Sequence, residues 1–178
     1  MKVKLFTPVI AVLIIFNTGC FGGEKMGFNE RTRKNTQMAE IIINCISEKD
    51  SAALREVFCP DTLEKSKTLD EDINRLFAYC NGKVSEYKEV VASSFTHIDM
   101  NLNSTEFNDE YDFTIGDTPY ILLFIYFPKN TIDIRQEGVK TIQVIKKEDE
   151  EKYICYWEDM EPGIFVPVQA VSADFILP

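Results

Sequence analysis

The chain has 178 residues and is acidic, with 19 Lys and Arg against 29 Asp and Glu and a net charge of −10. That length suits a single core. The charge repels nucleic acid and anionic lipid headgroups, which are set aside as direct partners of the folded body, and otherwise argues only solubility.

The first segment is basic and then apolar. Lys2 and Lys4 precede a run from Leu5 to Phe16 that is apolar apart from Thr7 and Pro8, followed by Thr18-Gly19-Cys20. Crossing a bilayer takes about 20 apolar residues, so the run fits the core of a signal peptide and not a span. Thr18-Gly19-Cys20 resembles the lipobox of bacterial lipoproteins, with Asn17 where that motif usually carries Leu. The expectation is a signal over 1–19 and a lipid such as palmitate on Cys20, holding the protein to the extracytoplasmic side of the cell membrane. Each buried acyl methylene contributes about 0.8 kcal/mol. Loss of Lys2 and Lys4 with the signal leaves 17 basic residues and a net charge of −12. Residues 20–30, with Gly22, Gly23 and Gly27, read as a flexible tether.

Thr32 to Lys49 is the first expected helix, with Met38, Ile41, Ile42, Cys45 and Ile46 at steps of three and four on one apolar face. Asp50 or Ser51 caps a shorter helix that turns Leu54, Val57 and Phe58 inward and stops at Cys59, because Pro60 disfavours helical geometry before it. A third helix starts at a Thr68–Glu71 capping box, carries Asp70, Glu71 and Asp72 at its positive end, and buries Ile73, Leu76, Phe77 and Cys80. Asn81-Gly82 ends it. Asp70, Asp72 and Asn74 imitate the opening of a calcium loop, but Arg75 and Asn81 stand where that loop needs Gly and Glu.

Beyond Val84 the period changes to two. A first strand lies within Val84–Met100, bent near Ser93-Ser94. Glu106 to Ile115 alternates wet and dry, and Gly116-Asp117 turns the chain. Tyr120 to Phe127 is apolar without alternation, as in a central strand covered on both faces. After a polar connection from Pro128 to Gly138, Val139–Lys147 and Lys152–Trp157 are expected to form a hairpin. Helices followed by an antiparallel meander define an α+β domain over 31–167, with a tail at 168–178.

Cys45, Cys59, Cys80 and Cys155 could pair in three ways in an exported protein, yet each sits in an apolar pattern that suits a buried free thiol equally well. No two are spaced C-x-x-C, and no metal or other cofactor is expected.

Three runs carry a family likeness: Ala53-Leu54-Arg55-Glu56-Val57-Phe58-Cys59-Pro60; Leu69-Asp70-Glu71-Asp72-Ile73 continuing to Asn81-Gly82-Lys83-Val84-Ser85; and Tyr156-Trp157-Glu158-Asp159-Met160-Glu161-Pro162-Gly163-Ile164-Phe165. From about Thr36 to Pro167 the chain resembles Gram-positive bacterial lipoproteins that share a domain of unknown function. The resemblance implies a cone of the nuclear-transport-factor-two-like (cystatin-like) type, with helices packed into a curved sheet, and implies no reaction.

The chemistry on offer is sparse. His97 is the single histidine, and there is no G-x-S-x-G elbow, phosphate loop or H-E-x-x-H site. Asp109 is in phase with Phe107, Tyr111 and Phe113, so it falls on the apolar side of its strand unless a bulge turns it to water. Held there, it has a raised pKa and can serve as a general base. Tyr111, Phe113, Tyr126 and Trp157 are the candidate walls of a ligand pocket, Trp157 alternatively closing the core. The leading expectation is a membrane-anchored module that binds a small ligand or a partner protein. The alternative is a small cone-type enzyme using Asp109 and His97 for acid–base chemistry, which requires both side chains in one cavity.

Overall fold

The computed structural model describes residues 28–100, 102–153 and 160–167. The leader, Cys20, Cys155, Trp157 and the tail lie outside the described residues. Among the described residues no helix is long and apolar enough to cross a membrane.

Four helices come first: α1 (Phe28–Glu48), α2 (Ser51–Glu56), α3 (Pro60–Lys65) and α4 (Leu69–Tyr79). α1 begins at Phe28, within the range expected for the tether, whose residues 20–27 lie outside the described residues. Its buried face comprises Ala39, Ile42, Ile43, Cys45 and Ile46, while Ile41 is exposed. Three consecutive isoleucines sweep more than half the helix circumference, so periodicity admitted either outer one, and packing chose Ile43. Each such side chain contributes about 1.5–3 kcal/mol by leaving water.

Asp50 caps α2 by accepting from Ala53 N–H at 3.0 Å. Pro60 does more than stop that helix. It occupies the first turn of α3, where its missing N–H would be unpaired anyway. The capping box of α4 does not form: Thr68 makes no side-chain cap bond, and its hydroxyl donates to Asp72 at 2.8 Å. Asp72 also takes Arg75, and Asp70 takes Arg55 at 2.6 Å, so the carboxylates that imitate a calcium loop are engaged in ion pairs.

The strands are β1 (Val84–Asp99), β2 (Leu102–Ile115), β3 (Thr118–Asn130), β4 (Gly138–Lys146) and β5 (Gly163–Phe165), in spatial order β1-β2-β3-β4-β5. The first four form an antiparallel meander, but β5 runs parallel to β4. The sheet is therefore mixed, and the expected Lys152–Trp157 hairpin strand is not found at Lys152 and Tyr153, residues 154–157 lying outside the described residues. Lys152 and Tyr153 lie in a short helix, α5 (Glu150–Tyr153). A parallel neighbour requires a crossover connection between the two strands. The register irregularities in β1 are at Ser85, between Val84 and Glu86, and at Val90, between Glu89 and Val91, and not at Ser93-Ser94, where the register is regular.

Both faces of β3 are covered. Tyr120, Leu122 and Phe124 join the helices in the larger core, with Tyr111 and Phe113 of β2. Ile121, Leu123, Ile125 and Phe127 pack on the opposite face, here the crossover face, with Ile145, Met160 and the partly buried Tyr153. Gly138 allows a helix-to-sheet joint: its φ is +124°, and a Cβ there would lie 2.9 Å from the Cys59 nitrogen. Cys59 N–H in turn donates to Val139 O at 2.9 Å.

Candidate functional site

Burial alternates along β2 so that Phe107, Asp109, Tyr111, Phe113 and Ile115 are buried on one face. Asp109 has zero exposure, and no bulge turns it outward. Its neighbours across the ladder are Ala92 on β1 and Phe124 on β3. Neither of its carboxyl oxygens has a hydrogen-bond partner, and the side-chain oxygen of Asn35, buried on α1, is likewise unpartnered. Burial is the main cause that pushes the Asp109 pKa up to about 7. The Asn35 side chain and the Ser93 N–H oppose the rise from short of hydrogen-bond geometry, and the Glu89 charge adds to it.

Around this carboxyl lies a polar cluster inside an apolar layer. Tyr111 donates to Glu89 at 2.9 Å, and Tyr87 on β1 donates to Glu40 on α1 at 3.1 Å. Thr36 acts on the Tyr111 hydroxyl, whose pKa rises chiefly through burial. Asn35 and Glu89 are not among the candidate residues named from the sequence. The signal for Asn35 is its place three and four residues before Met38 and Ala39 on the apolar stripe of α1, where a polar residue is out of keeping.

The aromatic candidates are divided. Tyr111 stacks on Phe124 at 6.1 Å and Phe113 on Tyr120 at 5.2 Å, each 1% exposed, so both fill the core and open no pocket beneath the helices. Tyr126 is partly buried against the same core and stacks on Phe107 at 6.3 Å. Trp157 lies outside the described residues.

His97 is exposed and pairs with Ser104. Both line a hollow of about 690 Å³ with Glu106, Phe127 and Lys140. Phe127 belongs to the crossover face, whereas Asp109 lies on the helix face. The sheet separates the two groups, and they cannot share a proton-transfer pathway. Among the described residues no cluster of three or more His, Cys, Asp or Glu side chains could hold a metal.

Cys45, Cys59 and Cys80 are free and buried. Burial pushes Cys45 up to about 11 and Cys80 up to about 12, so both stay protonated and unreactive at neutral pH.

A second feature is the free edge. β1 is 16 residues long, pairs only with β2 among the described residues, and is exposed along nearly its whole length. Phe95 is 62% and Met100 91% exposed, with Val91 and Ile98 also out in solvent.

Helices on a five-stranded mixed sheet, with a buried carboxyl on the helix face and an open edge strand, define an α+β domain with sites of two kinds. Residues 41–147 match the family described as a domain of unknown function, DUF5104; this is more than half of the chain, which therefore belongs to that family. No curated protein matches the chain.

Proposed function

We propose that the protein is a lipid-anchored, extracytoplasmic binding module of the nuclear-transport-factor-two-like type whose β1 edge receives an extended, basic segment of a partner protein. The carrying observation is β1 itself. Sheet edges are ordinarily blunted by lysines, prolines or covering elements. β1 has no proline, and its one lysine, Lys88, is directed to Asp112 at 3.4 Å. What remains is a row of unpaired backbone groups flanked by Val91, Phe95 and Ile98, which suits strand addition.

Charge selects the occupant. β1 carries Glu86, Glu89 and Asp99 against Lys88, so a basic strand is favoured over a second copy of this acidic chain. The partner reading stands ahead of the small-ligand reading because Tyr111 and Phe113 are spent on core packing. The anchor rests on the Lys2–Cys20 leader.

A photo-crosslinking residue at Phe95 in the intact lipoprotein tests this. It is expected to capture one protein through an extended, basic peptide, while the same residue at exposed Glu71 on α4 captures none. Capture of a second copy of the chain would replace the partner with a homodimer, and equal capture from both positions would overturn the edge assignment. Labelling with a palmitate analogue is expected in the wild type and absent in Cys20→Ser; equal labelling would remove the anchor.

A further inference from the structure

We propose that the hollow at one end of the sheet binds a zwitterion of dipeptide size with apolar side chains, its carboxylate on Lys140 and Asn130 and its ammonium on Glu106. This site is separate from the β1 edge and does not rest on that reading. The strands bring one set of ends to a single place: Glu106 near the start of β2, Phe127 and Asn130 towards the end of β3, Lys140 near the start of β4, and Glu161 just ahead of β5. They surround about 690 Å³, within the range of about 300 to 1,000 Å³ usual for small-molecule sites. The room that the helix face denies to a small ligand is present here.

The polar floor of the hollow is held in place. Asn130 is 3% exposed. Its Oδ1 accepts from the Ile132 N–H at 3.2 Å and the Asp133 N–H at 2.8 Å, and its Nδ2 donates to Gln136 Oε1 at 3.3 Å. These bonds fix the amide and occupy one of the two N–H groups on Nδ2, leaving the other for a ligand. Buried Phe127 and the exposed side chain of Ile132 supply apolar contact beside it.

Charge defines the ligand. Lys65 and Asp61 on the rim are spent on each other at 2.8 Å, and Asp133 accepts from the Arg135 N–H and the Gln136 amide. Lys140, Glu106 and Glu161 form no ion pair among the described residues. A plain anion would meet unpaired carboxylates and a plain cation would meet Lys140, whereas a ligand of both signs answers both. The carboxylates do not converge as metal ligands, since among the described residues no group of three His, Cys, Asp or Glu could hold an ion.

Spacing sets the ligand's length. Glu106 on β2 and Lys140 on β4 are separated by β3, two strand steps of about 4.8 Å each, and both side chains line the gap between. A dipeptide holds its terminal charges about 7 Å apart at about 3.5 Å per residue, while a single amino acid holds them much closer. Glu161 is exposed and adds negative potential that favours approach by the ammonium end.

The experiment is an NMR titration of the full chain with L-leucyl-L-leucine at about pH 7, where the peptide ammonium is largely charged. The Asn130 side-chain amide is followed. N-acetyl-L-leucyl-L-leucine lacks the ammonium, and L-leucyl-L-leucinamide lacks the carboxylate. Saturable binding of the zwitterion is expected, with each blocked peptide at least about tenfold weaker for want of one charged hydrogen-bond partner. Lys140→Met is expected to weaken the zwitterion at least about tenfold and to leave the amide form unchanged. Glu106→Gln is expected to weaken it similarly and to leave the acetylated form unchanged. Both residues are partly exposed, so the fold tolerates either change, and Glu71→Gln on α4 is expected to bind as wild type. No saturable binding, equal binding of the three peptides, tighter binding of a blocked form, or unchanged affinity in either Lys140→Met or Glu106→Gln would each overturn the assignment.

Discussion

β1 and β3 lie in one sheet, separated only by β2, and are similar in length at 16 and 13 residues, yet they meet opposite environments. From Tyr120 to Phe127 β3 is buried on both faces except at Tyr126, which is half-buried. In β1 no residue is fully buried. Their composition anticipates the contrast, since the central stretch of β3 is apolar throughout whereas β1 mixes Glu, Lys, Ser and Thr with Val, Phe and Ile. The lesson is that β1 keeps strand-forming residues without using them in the core. Strand propensity there serves pairing, and pairing on one side is unused.

The largest way to test this contrast is to truncate each strand. Phe124→Ala on β3 is expected to cost about 3–5 kcal/mol, because it empties the space between Tyr111 and the helices. Denaturant unfolding measures it, and a loss below that range would mean that the core has another centre.

Asp109→Asn is expected next. A carboxyl whose folded pKa lies above its unfolded value makes the folded state bind more protons between the two. Stability therefore falls as pH rises from about 4 to about 7 and stays reduced above that. Removing the charge is expected to stabilise the fold by about 4 kcal/mol at pH 8 and to change nothing near pH 4. Chemical denaturation at both pH values reads the difference, and equal effects would show that Asp109 does not titrate as a buried group.

Gly138→Ala, at the joint between the helices and β4, is expected to cost about 1–3 kcal/mol, since the positive φ and the nearby Cys59 backbone both resist a side chain. A thermal melt would report it.

The smallest expected effect is the most telling for β1. Phe95→Ala should leave stability within about 0.5 kcal/mol of wild type, because its ring is already in solvent. The same change is expected to reduce capture of a partner at the edge. A large loss of stability instead would place Phe95 in the core and dissolve the contrast between the strands.

Much of this molecule was legible beforehand. The shift from three-and-four spacing to alternation located the boundary between helices and sheet, and the unbroken apolar run in β3 implied cover on both sides. Phase along β2 placed Asp109 inward. Less legible were features that depend on partners distant in the chain. The choice of Ile43 over Ile41 was settled by the sheet beneath α1. Thr68 met Asp72 in preference to its own helix cap.

What the amino-acid order determined by itself was therefore local: periods, breaks, and the polarity of each strand face, all set by neighbours within a few residues. Tertiary structure alone decided that β5 runs parallel to β4, because a crossover can return in either direction and no short-range pattern encodes which. It also decided that Asp109 and His97 lie on opposite sides of the sheet, through the register of the β1–β2 ladder, and that Asn35 comes to Asp109, through the packing of α1 across more than seventy residues of chain.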